Sequence, residues 1–276
     1  MLETRRAPVR CANQAGDDQA AGLRRLFGTR PPRWLPVLLA NGREGTHGAW
    51  LARLARSFLA QGDRTLVVDA ARAQVASALG LRLRFDLQHA LDGDCVPQAA
   101  CVQASEGLWV VPAARGLEAI DRATDAARRF ESGLQALAQE VDCVLLVLPE
   151  AGRAGQRAAL SALAGPHGYD NALLAIGGGA AAPARCLEAM SAAMGAVDID
   201  TFHLLFQDMD TASAGRLFPR LAAVAARELG ARVADGGRVA DPDAMLRLVR
   251  AVRCRPASSR ARTTAARHSE AAENRF

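Results

Sequence analysis

Residues 35–50 read Leu35-Pro36-Val37-Leu38-Leu39-Ala40-Asn41-Gly42-Arg43-Glu44-Gly45-Thr46-His47-Gly48-Ala49-Trp50. An apolar run enters a glycine-studded turn, and the amphipathic segment Leu51–Ala60 leaves it. Strand, glycine-rich turn and helix in that order is an arrangement in which backbone N–H groups and a helix N-terminus hold a phosphate. Gly42, Gly45 and Gly48 would let the backbone curl. A working phosphate loop also sets a lysine over the outer phosphates and a Ser or Thr hydroxyl on magnesium at the helix start. Here the nearest stand-in for the lysine is His47, largely neutral near pH 7 when unperturbed. Gly48 occupies the place of the hydroxyl, and Glu44 adds a negative charge beside the phosphates. From these residues alone, a plain turn and a degenerate phosphate loop both stay open.

Working outward, the same alternation repeats. Thr65–Val68, Leu108–Val111, Val144–Leu148, Ala172–Ile176 and Phe202–Phe206 are short apolar runs that read as buried strands. Helical periods fall at His47–Gln61, Arg72–Leu79, Ile120–Glu140, Pro183–Met194 and Ala212–Leu229. All-apolar strands alternating with helices predict an α/β fold, a doubly wound and mainly parallel sheet with helices on both faces. Ligands on such sheets sit beyond the carboxyl ends of the strands. That rule puts Asn41–Gly48, Asp69 and Pro149–Gly152 on one rim. Residues 34–255 form this α/β domain, 1–33 a polar N-terminal extension with one short helix over 17–27, and 256–276 a disordered tail poor in large apolar side chains.

Composition narrows the chemistry. The 276 residues carry a net charge of +5, and all 34 basic residues are arginine. Without a lysine, no reaction that needs one can run on this chain's own residues. The six cysteines are scattered with no CxxC pair, which suits reduced structural thiols and no metal site. No apolar run is long enough to span a membrane, and the first residues lack an export signal, so a cytoplasmic location is expected. Basic stretches interleaved with aromatics are absent, so nucleic acid is not expected as a partner. The closing helix alternates Met245, Leu246, Leu248, Val249 and Val252 with Arg247, Arg250, Arg253 and Arg255. Packing against the sheet is its expected role, with peripheral membrane contact as the alternative.

Upstream of the turn stands Asp18-Gln19-Ala20-Ala21-Gly22-Leu23-Arg24-Arg25-Leu26-Phe27. Asp18 is a natural N-cap, and Leu23, Leu26 and Phe27 share one helical face. This segment, the glycine-rich turn, Gln61–Asp69, Leu79–Leu87, Leu91–Cys95, Val110–Gly116, Phe202–Phe218 and Val239–Pro256 together resemble the MinD/ParA-like P-loop ATPases. Within them the chain is most similar to the FlhG-type regulators of flagellar number, over about residues 17–255. The resemblance implies that the N-terminal helix inserts into an FlhF-type, signal-recognition-like GTPase. Gln19 would then assist GTP hydrolysis in trans, with Asp18, Leu23, Arg24, Leu26 and Phe27 docking the helix. It implies flagellar C-ring proteins or a flagellar transcription regulator as further partners, and a place at the flagellar base.

The same resemblance assigns Gly42, Arg43, Gly45, His47, Gly48, Asp69 and Gln207 to what remains of a nucleotide site. The family's two loop lysines are missing. Its Asp-Ala-Asp at the second strand becomes Asp69-Ala70-Ala71, its magnesium-linked aspartate falls on Val147, and its base-contacting asparagine falls on Gln207. Phosphoryl transfer needs positioning and charge neutralisation together. The expectation is therefore a pseudo-ATPase without a working cofactor, ATP with magnesium binding weakly if at all. A weak ATPase using groups such as Arg43, or an accessory of another surface machine such as cellulose secretion, are the alternatives.

Overall fold

The computed structural model describes residues 31–40, 47–120, 125–149, 157, 160–161 and 169–253. In chain order its elements are β1 (Arg33–Leu39), α1 (Gly48–Ala60), β2 (Thr65–Asp69), α2 (Val75–Ala78), α3 (Leu87–Leu91) and α4 (Pro97–Ala100). There follow β3 (Val102–Ser105), β4 (Leu108–Pro112), α5 (Ala114–Ile120), α6 (Ala126–Ala138) and β5 (Cys143–Leu148). The chain continues with β6 (Ala172–Ile176), α7 (Ala182–Ala196), β7 (Thr201–Phe206), α8 (Thr211–Leu229), β8 (Arg232–Arg238) and α9 (Pro242–Arg253). These elements belong to the unit that begins at Pro32. The short helix expected over 17–27 and the tail over 256–276 lie outside the described residues, as do Gly42, Arg43, Glu44 and Gly45 of the turn.

The eight strands are ordered β3-β4-β2-β5-β1-β6-β7-β8. Every pairing is parallel except β3 with β4, which is antiparallel at one edge. Alternation along each strand feeds two separate cores. In β5, Cys143, Leu145 and Val147 point into the layer made by α1, α2 and α9, whose Leu54, Val75 and Val249 are fully buried. Val144, Leu146 and Leu148 point into the opposite layer, with Phe130 of α6, Met190 of α7 and Ala225 of α8. A strand covered on both faces must be apolar at every position, which is why Cys143–Leu148 is one unbroken run. The expected doubly wound α/β architecture is the observed one.

Three local expectations are corrected. The helix expected over Ile120–Glu140 spans only Ala126–Ala138, and a separate α5 precedes it. The polar stretch after α2 contains two short helices, α3 and α4, the first capped by Asp86, which accepts the Gln88 N–H at 2.9 Å. The last strand is β8 rather than β7. Its sequence, RVADGGR, reads as a loop, yet Gly236 lies so close to the Leu204 carbonyl that a Cβ would sit 2.7 Å from the oxygen. Gly237 takes φ +82°, and the register slips there. The glycines make a bulge in an edge strand and do not end it.

The candidate nucleotide rim

The carboxyl ends of β1, β2, β5 and β7 face the same rim, and four sequence-singled residues can be placed there. His47 precedes α1 and is buried. Its Nδ1 accepts a hydrogen bond from the Trp50 indole at 3.4 Å, and the two rings meet edge to face, 6.2 Å apart. With Nδ1 accepting, a neutral ring carries its proton on Nε2.

Gly48 opens α1 under strict steric limits. A Cβ there would lie 2.5 Å from the Gln74 carbonyl oxygen and 2.8 Å from that of Ala73. Both obstacles are backbone, so the segment after β2 closes directly over the first residue of the helix. Two peptide carbonyls thus occupy the space into which any side chain at Gly48 would extend.

Asp69 at the end of β2 holds that segment in place. It accepts the Ala73 N–H at 2.8 Å and the Val75 N–H at 3.2 Å, and it is buried. Desolvation raises its pKa, against the pull of backbone hydrogen bonds from Ala73, Val75, Ala71 and Gln74. Residues 71–75 thus curl around the carboxylate as a nest of N–H donors, with the anion supplied by the chain itself. The curl requires left-handed backbone at Arg72 (φ 54°) and Gln74 (φ 59°), neither a glycine. Arg72 is tied down at its far end by Glu118 of α5, at 2.6 Å. Directly across from Asp69 in the parallel register is Val147, fully buried in the core.

Gln207 lies elsewhere on the rim. It follows β7, its N–H donates to the Ile176 carbonyl at 2.8 Å, and it lines a cavity of about 250 Å³. Ala49, Trp50 and Arg53 of α1, Asp208 and Arg238 line the same cavity. The first turn of α1 therefore separates two places: Gly48 faces the closed segment, and Ala49, Trp50 and Arg53 face the cavity. Sequence reasoning missed Trp50, Arg53, Asp208 and Arg238, because their convergence depends on β8 being a strand. It missed Arg72 and Gln74 because nothing in their side chains announces a positive φ.

No protein-family model matches the sequence, and no curated protein matches it. Solved structures do. The MinC:MinD cell division protein complex of Aquifex aeolicus aligns with a TM-score of 0.61 at 14% identity, over 82% of this chain and 98% of that one. The chain has the fold of the MinD/ParA-type ATPases. A plasmid partition protein from Borrelia burgdorferi gives a TM-score of 0.60 at 10% identity, covering 79% and 98%. Cobyrinic acid a,c-diamide synthase from Mycobacterium smegmatis, with bound ADP and magnesium, gives 0.58 at 19%, covering 80% and 94%. Nucleotide and magnesium are therefore a natural expectation for the fold.

At the positions that the resemblance assigns to magnesium and the attacking water, the described residues do not fit the ion; residues 41–46 of the turn lie outside them. Gly48 has no side chain and no room for one, Asp69 is engaged by backbone N–H groups, and Val147 is apolar. Among the described residues there is also no group of three or more His, Cys, Asp or Glu that could hold a metal. Nor is any helix among them long and apolar enough to cross a membrane.

Proposed function

We propose that this chain is an FlhG-type regulator of flagellar assembly that works without ATP turnover. Its N-terminal segment engages an FlhF-type GTPase, and Gln19 assists hydrolysis there. One observation carries the reading: Asp18-Gln19-Ala20-Ala21-Gly22-Leu23-Arg24-Arg25-Leu26-Phe27 stands directly ahead of a domain with the MinD/ParA-type fold. The lysine-free composition and the backbone carbonyls set against Gly48 support the loss of turnover. Under this reading the α/β body is a scaffold for flagellar C-ring proteins or a transcription regulator, at the cytoplasmic side of the flagellar base.

The test mixes the full chain with an FlhF-type GTPase and follows GTP turnover. Stimulation is expected, and Gln19→Ala should abolish it while leaving association intact. Absence of stimulation overturns the reading. Calorimetric titration with ATP and magnesium forms the second arm, with no binding expected. A second reading, a weak ATPase, is favoured by the cavity beside Gln207. Micromolar ATP affinity with slow turnover would establish it instead.

A further inference from the structure

Helices α1 and α9 lie side by side and point the same way. Near the start of both, Arg53 Nη2 donates to the Val239 carbonyl at 2.8 Å, just ahead of α9. At the far end, Arg253 Nε meets the Asp63 carboxylate at 3.0 Å, just past α1. Their inner faces are core: Leu51, Leu54 and Phe58 on one, Leu248, Val249 and Val252 on the other. The apolar stripe of α9, read from sequence as a membrane alternative, is thereby taken up by the sheet.

The outward surface is basic and one-sided. Arg53 and Arg56 on α1, and Arg247 and Arg250 on α9, are all exposed. Helix α1 contains no acidic residue, and α9 contains only Asp243. Asp63 is taken by Arg253 and Arg33 and Asp241 by Arg247 at 3.6 Å, while Asp243 is exposed at the start of α9. Among the described residues, no carboxylate lies within 4.0 Å of Arg56 or Arg250. Ordinary solvated surfaces intersperse both signs.

We infer that the arginine face shared by α1 and α9 docks an acidic helical segment of a partner protein. On each helix the two arginines are three residues apart, about 4.5 Å along the axis. Packed helices sit roughly 8–10 Å apart, so a third helix laid over the seam reaches both stripes. Carboxylates spaced at i and i+3 on such a helix repeat at the arginine interval. Arg56 and Arg250 offer bidentate pairing, while Arg53 and Arg247, engaged by the Val239 carbonyl and Asp241, add positive charge alongside. A lipid surface is a poorer match. At about 1 kcal/mol for each basic residue near an anionic bilayer, four arginines give only roughly millimolar attraction. The exposed large apolar side chains among the described residues, Leu83 and Val96, lie on other segments and cannot anchor this face. A duplex is poorer still, since its binding scales with the number of phosphates neutralised, which four arginines keep small.

The inference is independent of the GTPase reading, whose test runs through Gln19 and nucleotide turnover. Its own test titrates the full chain into a fluorescein-labelled synthetic helix carrying glutamates at i and i+3, read by anisotropy at low salt. Arg56→Glu with Arg250→Glu should weaken binding by about tenfold or more, and Arg56→Lys with Arg250→Lys should keep most of it. The control pair, Arg82→Glu with Arg84→Glu, makes the same charge change on an exposed segment elsewhere and should alter binding by less than about twofold. Far-UV circular dichroism verifies that all variants fold. Equal weakening by both reversal pairs, no binding by the parent chain, or tighter binding of phosphatidylglycerol vesicles or duplex DNA than of the peptide would each overturn it.

Discussion

Gly48 means one thing in the sequence and another in the fold. From sequence it is a missing hydroxyl; in the fold it is a position with no space for a hydroxyl-bearing side chain. Gly48→Ala should therefore destabilise the protein by about 1–3 kcal/mol, the usual cost of overpacking against atoms that cannot rotate away. Urea unfolding checks it, and an unchanged midpoint would show that residues 73–74 yield freely. Asp69 supplies a second residue-level expectation. Its folded pKa is raised above the ordinary 3.8 by burial. The folded state thus holds the proton more tightly than the unfolded chain. The contribution of this group is fully present below pH 3.8 and is lost as pH rises through the folded pKa. The stability difference between the parent and Asp69→Asn should then shift against the parent as pH climbs from 3.5 to 7. Urea unfolding across that series measures it, and a shift in the parent's favour would mean that the backbone N–H groups outweigh desolvation.

At the scale of elements, the segment between β2 and α2 is held by competing forces. Backbone bonds to Asp69 and the Arg72–Glu118 pair hold it closed, while two left-handed non-glycine residues oppose that geometry. Gln74→Gly removes one strained side chain at a φ of 59°. It should raise stability by about 0.5–1 kcal/mol net of the added freedom in the unfolded chain. A lower melting temperature would show that the Gln74 side chain contributes more than the strain it brings. The elements themselves were legible to different degrees. Cys143–Leu148 announced itself because both its faces are buried. By contrast β3, with its alternating half-buried and exposed residues, and β8, with two glycines, are edge strands without such a run. Edge position relaxes the demand for apolar residues, so it also removes the signal.

For the whole molecule, the layered α/β plan could be read from alternation, because burial on two faces constrains composition over the whole length of a strand. The candidate site could be read only in part. His47, Gly48 and Asp69 could be singled out by their places in the turn and at the strand end, Gln207 only through the resemblance. What encloses Gly48 is main chain, and what faces Gln207 comes from residues more than 150 positions earlier and about 30 positions later. Neither main-chain closure nor such distant convergence leaves a local pattern. The strand order carries one more consequence, for synthesis. Arg33 of β1 aligns with Cys143 of β5, and Val37 aligns with Leu173 of β6. Among the described strands the first made is thus one of the two central ones, and its earliest neighbour emerges about 110 residues later, roughly 5–20 s at ordinary translation rates. Through that interval Trp34–Leu39 trails the ribosome as an apolar ribbon with no strand to pair with. The nascent chain is most open to chaperones, and to aggregation, at the segment that ends as the most protected part of the protein.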